Sequence, residues 1–235
     1  MLEEITRLES PIDVMYLMHK AFEAASERVE ALAAEAQSGG SLDEFTEGFT
    51  FWVTQLLYHA EAEDDYMTAP LEDSQPARDN ETEHNELRAA GGEIIEFMGK
   101  GDNAGLEDNV KGAMLALEEE QHKELIEAAQ EVESVLKQAI GEDRVLGRTR
   151  RHLYRRVMAL RVLEFDHFEN EEAFVLPVVK EKMAGAQELE AARRLLIQDG
   201  AENPRWVIDW VATELNDVER GLLAELDAQF TAANA

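Results

Sequence analysis

The sequence predicts an all-α fold: an up-down four-helix bundle built from two repeated helical hairpins, with an inserted helix and extra helices at the C-terminus. Three observations support this prediction. Apolar residues recur at spacings of three and four along most of the 235 residues, strand-like alternation is nearly absent, and one hairpin pattern occurs twice.

The first hairpin has well-marked ends. A Ser-Pro pair followed by an acid opens a helix that is expected over about residues 10–37, where Ser38-Gly39-Gly40 ends it. Ser41 and Glu44 form a capping-box pattern. A second helix is therefore expected over about 41–70.

The rest of the chain also carries helix signals, which are interrupted by several breaks. The sequence predicts a polar loop over 71–80, a short helix over 81–98 and a break over 99–105. Two long helices are expected over 106–140 and 144–183, the second with a kink at Pro177. A helix over 187–198 and one last helix after Pro204 complete the chain. Two domains are expected: a bundle over 1–183 with an inserted segment at 71–105, and C-terminal helices over 184–235 packed on it. The last helix carries an apolar stripe of Trp206, Trp210, Val218, Leu222 and Leu226, which is expected to pack on the bundle or to form a homodimer.

The composition excludes several classes of function. The chain has 22 Lys and Arg against 51 Asp and Glu, a net charge of −29, which disfavours binding to nucleic acid and to membrane surfaces. Cysteine is absent, which excludes disulfides, thiolate catalysis and cysteine-ligated metal sites. No secretory signal pattern and no apolar run of membrane-spanning length is seen, so a cytoplasmic location is expected.

Two stretches of the sequence are alike and define the repeat. Each begins with His-Lys, at His19 and at His122, and each contains a second histidine 40 or 45 residues later, at His59 and at His167. Each second histidine begins a His-x-Glu-x-Glu pattern with another acid after it, and a proline follows 11 or 10 residues after the histidine. The chain therefore contains an internal repeat of a helical hairpin.

Helix geometry places these histidines on faces that are otherwise largely apolar. Offsets of three, four and seven residues stay on one face of an α-helix, so Glu63 lies beside His59 and Glu171 beside His167. Glu61 points away from its apolar face. Buried carboxylates are costly without partners, and a shared cation removes that cost.

The candidate ligands are therefore three residues from each hairpin: His19, His59, Glu63, His122, His167 and Glu171. Imidazole and carboxylate together suit iron, manganese or zinc rather than calcium or magnesium. Six protein ligands are too many for one tetrahedral zinc ion. They suit a pair of metal ions with open positions.

These motifs resemble the hemerythrin-like HHE domain family over about residues 10–180. The matching residues are HAEAED and HFENEE with their following prolines, together with His19 and His122. The resemblance implies that the six candidate ligands hold two iron ions bridged by oxide or carboxylate, with manganese or zinc as less favoured metals. It also implies a small ligand: dioxygen, nitric oxide or peroxide. Sensing or handling of iron is another implied function, and an oxidase or peroxide-consuming activity stays open.

The sequence departs from the oxygen-carrying hemerythrins in one position. Those proteins place a second histidine four residues after the one on the third helix, and this chain has Ile126 there. The site would therefore be richer in carboxylate than that of a carrier, which favours the ferric state and chemistry on oxygen over reversible binding.

Alternatives remain for single residues. His84 competes with His122, which is favoured because its His-Lys and its spacing repeat; His84 is expected at the surface. Further carboxylate ligands could come from Glu23, Glu118 or Glu164. Tyr16 and Tyr66 lie about one turn from ligands and are expected to pack in the core rather than to donate hydrogen bonds to the ligands.

Two alternative functions remain for the whole chain. One is a ferritin-like or haem-oxygenase-like diiron oxidase, indicated by Glu-x-x-His at 81–84, 119–122 and 164–167. Against it, Leu56 stands three residues before His59. The other is a structural helical module that binds a partner through the tryptophan stripe.

Overall fold

The computed structural model describes residues 4–68, 71, 82, 84–85 and 147–233. These residues are predominantly helical and contain no strand, so the all-α prediction is confirmed. The predicted loop over 71–80, most of the helix over 81–98 and the whole helix over 106–140 lie outside the described residues. The up-down order of four helices stays a prediction.

Seven α-helices are described in full. They are α1 (Val14–Gln37), α2 (Leu42–Glu63), α3 (Gly147–Asn170), α4 (Leu176–Lys182), α5 (Gly185–Leu196), α6 (Trp206–Glu214) and α7 (Asp217–Ala233). A 3-10 turn, Pro11–Asp13, precedes α1. Two π-helical turns, Asp64–Thr68 and Glu171–Val175, directly follow α2 and α3. Thr82, His84 and Asn85 are also helical.

The predicted capping signals account for the first two helices. The Asp13 carboxylate accepts the backbone N–H of Ser10 at 2.9 Å and fixes the turn that leads into α1. Gly39 follows the end of α1 with a φ of +103°, which a residue with a Cβ adopts only with strain. The backbone N–H of Glu44 donates to the Ser41 hydroxyl at 3.2 Å, as expected at the start of α2.

The prediction of one last helix after Pro204 is wrong, because the chain breaks between α6 and α7. Leu215 is extended, with a ψ of 153°, and Asn216 starts the next helix. The Asn216 side chain accepts the backbone N–H of Glu219 at 3.0 Å, and the Glu219 carboxylate accepts the backbone N–H of Asn216 at 3.2 Å. This reciprocal pair is a capping box. The break turns Val218 outward to 47% exposure, whereas Trp210 and Leu226 are buried.

The chain divides into two compact units. The first consists of Met1–Ala25, Tyr58–Glu81 and Asp166–Ala235; the second of Ser26–Leu57 and Thr82–Phe165. In the first unit, α5 packs against the Pro11–Asp13 turn, the first π-helical turn, α6 and α7. The C-terminal helices of this unit thus contact the segment that follows Glu63.

The second unit has an aromatic core with a buried acid. Phe49 lies 5.7 Å from both Phe45 and Trp52, measured between ring centroids. The Trp52 indole N–H donates to the Glu164 carboxylate at 2.6 Å, and both side chains are fully buried. A buried carboxylate needs such a donor.

None of the described helices combines the length and the apolar character needed to cross a bilayer.

Candidate metal centre

Five of the six predicted ligands meet in the first unit. His19 comes from α1, His59 and Glu63 from the last turn and a half of α2, His167 from α3, and Glu171 from the second π-helical turn. One ligand atom from each of His19, His59, Glu63 and Glu171 lies within 4.8 Å of the others, and the same holds among Glu63, His167 and Glu171. All five side chains are buried, with at most 3% exposure.

The local geometry follows from helical spacing. Glu63 is four residues after His59, and its Oε1 lies 2.8 Å from His59 Nε2. The same spacing places Glu171 Oε2 4.0 Å from His167 Nε2. Glu171 Oε2 also lies 3.2 Å from His19 Nε2. His19 belongs to α1, about 150 residues earlier in the sequence.

Several of these close atoms make no hydrogen bond among the described residues. They are Nε2 of His19, both ring nitrogens of His59 and both carboxylate oxygens of Glu171. The short distances are therefore approaches at poor angles, as expected when atoms face a common point rather than one another.

This arrangement fits a bound cation. Buried polar atoms are almost always hydrogen-bonded, and a cluster left without such bonds costs several kcal/mol. Imidazole nitrogens and carboxylate oxygens are ligands of iron, manganese and zinc. The donor set and its burial together indicate a metal site.

The two histidines from the first hairpin have different proton affinities. Burial lowers the pKa of His19, but the carboxylates of Glu171 and Glu172 outweigh it and raise the pKa to about 9. Burial lowers the pKa of His59, despite the nearby Glu63. Without a metal, His59 is neutral at pH 7 and His19 holds a proton.

Aromatic rings cover the histidines. Phe168 stacks on His19 with centroids 4.1 Å apart and planes 10° apart. Phe22 lies 4.8 Å from His59, and Trp210 of α6 packs edge-on against Phe22 at 4.9 Å. These rings exclude water from the histidines and so strengthen electrostatic interactions there.

Glu172 is a functional candidate that the sequence did not single out. Nδ1 of His19 donates to Glu172 Oε1 at 2.8 Å. In a regular α-helix a residue next to Glu171 would be rotated by about 100° from it. The π-helical turn at Glu171–Val175 changes that direction, whereas the sequence predicted only a kink at Pro177 in this region.

The remaining candidates have mixed outcomes. His122 and Glu118 lie outside the described residues, so the choice between His84 and His122 stays open. His84, in the second unit, is fully buried, so its expected place at the surface is wrong. Tyr66 is 39% exposed with the Arg194 guanidinium over its ring at 5.4 Å, so its expected core position is wrong as well.

The candidate extra carboxylates and Tyr16 can also be placed. Glu164 accepts the Trp52 indole N–H in the second unit, and Glu23 is half-buried. Tyr16 is half-buried, with the Lys180 ammonium 5.7 Å from its ring centroid.

Comparison with known proteins gives one match. The family model described as the hemerythrin HHE cation binding domain matches residues 10–119. This range includes His19, His59, Glu63 and His84; it is shorter than the resemblance expected over 10–180. No curated protein and no solved structure matches the chain. Over residues 10–119, just under half of its length, the chain is similar to the hemerythrin family of HHE cation-binding domains.

Proposed function

We propose that this protein is a non-haem diiron protein of the hemerythrin type, which reacts with dioxygen, nitric oxide or peroxide, or senses and handles iron. Its protein ligands are His19, His59, Glu63, His167 and Glu171, with His122 as the sixth ligand that the sequence predicts. The observation that supports this proposal is the convergence of buried ligand atoms in the first unit, among which Nε2 of His19, the ring nitrogens of His59 and the oxygens of Glu171 make no hydrogen bond with the described residues.

The donor set favours a pair of redox metal ions such as iron over a single structural zinc ion. Structural zinc is satisfied by four ligands, and the five convergent residues exceed that number. All donors are imidazole or carboxylate, because the chain has no cysteine. A pair of iron ions held by a larger share of carboxylate than in an oxygen carrier would supply redox chemistry on oxygen when bound, and this share favours the ferric state.

The chain's own residues have three roles in this proposal. The imidazoles and carboxylates bind and orient the metal ions. Phe168 and Phe22 exclude water from the ligands. Ile126 occupies the place of a further carrier histidine, which supports chemistry or sensing rather than reversible oxygen carriage.

Metal analysis tests the proposal directly. Protein expressed with added iron should retain about two iron ions per chain, and anaerobic ferrous protein should gain near-ultraviolet absorption in air. The variant His59→Ala should lose most of the iron, whereas His152→Ala, a half-buried histidine of the second unit, should keep it. Wild-type protein that retains no iron, or a His59→Ala variant with unchanged iron content, would overturn the proposal.

The alternative of a ferritin-like oxidase differs at His19. Its Glu-x-x-His signature includes Glu164, which here accepts a hydrogen bond from Trp52 instead. The hemerythrin-type site requires His19, whereas the ferritin-like site does not. Iron lost on His19→Ala supports the former, and iron retained in that variant supports the latter. A protein that binds a partner through the tryptophan stripe would hold no stoichiometric metal.

A further inference from the structure

A single stretch of chain, residues 167–172, both supplies ligands and holds a ligand from another helix. His167 and Glu171 are ligands in the proposed site. Phe168 stacks on the ring of His19 at 4.1 Å, and Glu172 accepts its Nδ1–H at 2.8 Å. His19 is therefore held on its face and at its outer nitrogen by this one stretch.

We propose that Glu172 is a positioning residue, which holds His19 so that Nε2 faces the metal position; this inference rests on the proposed function. The carboxylate of Glu172 accepts the proton on Nδ1, so the lone pair of the metal-bound imidazole is on Nε2. Nε2 is the atom that lies 3.2 Å from Glu171 Oε2. The hydrogen bond thus selects the tautomer that can bind.

The environment of Glu172 suits this role and not that of a ligand. Its side chain is 36% exposed, whereas Glu63 and Glu171 are fully buried. It contacts the nitrogen of His19 that faces away from the ligand cluster. A carboxylate in this position raises the basicity of the imidazole toward a metal ion.

The first hairpin lacks this combination. When His59 is aligned with His167, Phe168 corresponds to Ala60 and Glu172 to Asp64. The methyl group of Ala60 cannot stack on an imidazole ring. The repeat therefore gives two ligand pairs, but only the second copy provides an aromatic ring and a glutamate that together hold a histidine.

Zinc affinity provides the test. Zn²⁺ competition against a chromophoric chelator should show binding weakened by about 10–100-fold in Glu172→Ala, and by less in Glu172→Gln, which keeps an acceptor oxygen. Glu169→Ala removes an exposed acid of the same motif and is the matched control, with affinity unchanged. Circular dichroism should show that all the variants are folded.

A double-variant cycle separates positioning from a general structural role. In a His19→Ala background, Glu172→Ala should reduce zinc affinity by less than about twofold, because the group it positions is gone. A structural role would reduce affinity by the same factor in both backgrounds. Nitrogen-15 NMR of zinc-loaded protein should also show an Nδ1-protonated His19, with a downfield proton that is lost in Glu172→Ala.

The outcomes distinguish this inference from the function on which it rests. Wild-type protein that binds no metal overturns both. Wild-type binding that is weakened by His19→Ala but not by Glu172→Ala overturns the positioning role alone. Equal factors in the two backgrounds overturn it as well.

Discussion

The raised proton affinity of His19 makes the metal-free protein lose stability as the pH rises. Its pKa is about 9 in the folded chain against an ordinary value of 6.5. A group whose pKa is raised by folding stabilises the fold below its unfolded pKa. That stabilisation is lost as the pH rises through the folded value, so the window runs from about pH 6.5 to about pH 9.

The magnitude follows from the size of the shift. Each pKa unit corresponds to about 1.4 kcal/mol, so His19 contributes on the order of 3 kcal/mol to the free energy of unfolding below pH 6.5. His59 has the opposite sign: its pKa is lowered, so its stabilisation is present above pH 6.5 and lost as the pH falls. The two effects therefore act in separate pH ranges.

Urea denaturation of chelator-treated protein between pH 6.5 and pH 9.5 measures this effect. The wild type should lose about 3 kcal/mol more across the range than His19→Asn, which has no titrating ring. Other titrating groups are shared by the two proteins and cancel in the difference. Equal pH dependence in both proteins would refute the reasoning.

The same proton makes metal binding depend on pH. A metal can bind Nε2 of His19 only after its proton leaves. With a pKa of about 9, this costs a factor of about 100 in apparent affinity at pH 7 relative to pH 9. Zinc affinity should rise about tenfold per pH unit over this range, more steeply than in His19→Asn.

Three further predictions concern stability, each measured by urea denaturation of the metal-free protein. Trp52→Phe removes the indole donor of the buried Glu164 and should lower the free energy of unfolding by about 2–3 kcal/mol. Gly39→Ala places a Cβ at a φ of +103° and should cost about 1 kcal/mol, whereas Gly200→Ala, with ordinary φ and open space around it, should cost little. Glu219→Ala removes the carboxylate that accepts two backbone N–H groups and a lysine ammonium and should cost about 2–3 kcal/mol.

The two histidine–glutamate pairs that the sequence predicted depend on the helix period alone. The spacing of His59 and Glu63 fixes them on one face wherever the helix lies, and the same is true of His167 and Glu171. The approach of His19 to this cluster is not local. It could be predicted because the hairpin occurs twice and because His19 lies in an apolar stripe.

Two incorrect predictions have different causes, one that depends on distant parts of the chain and one that is local. His84 stands among polar residues in ETEHNELR, a pattern typical of exposed helix, yet it is fully buried. Asn216 and Glu219 carry a capping signal, but apolar residues continue on both sides of it, at Leu215 and Val218. Periodicity therefore indicated one helix, although the local capping box starts a new one.

The second π-helical turn has a physical cause in the sequence, which is Pro177. The sequence predicted a kink at this proline but not the π-helical turn before it. Proline has no backbone N–H, and its ring clashes with the carbonyl four residues earlier in a regular α-helix. The helix widens just before Pro177, because the backbone N–H of Leu176 donates to the carbonyl of Glu171, five residues earlier. Such turns occur often at functional sites.

That widening links the proline to the candidate metal ligands. The π-helical turn begins at Glu171 and includes Glu172, so it changes the direction of the acid that follows the ligand. In the first hairpin a π-helical turn likewise begins at Asp64, five residues after His59, and a proline follows in the sequence at position 70. Both copies thus depart from α-helical geometry at or directly after the glutamate of the histidine–glutamate pair. The repeat therefore includes the π-helical turn as well as the candidate ligands. The acid that follows the glutamate differs between the copies: it is Asp64 in the first and Glu172 in the second.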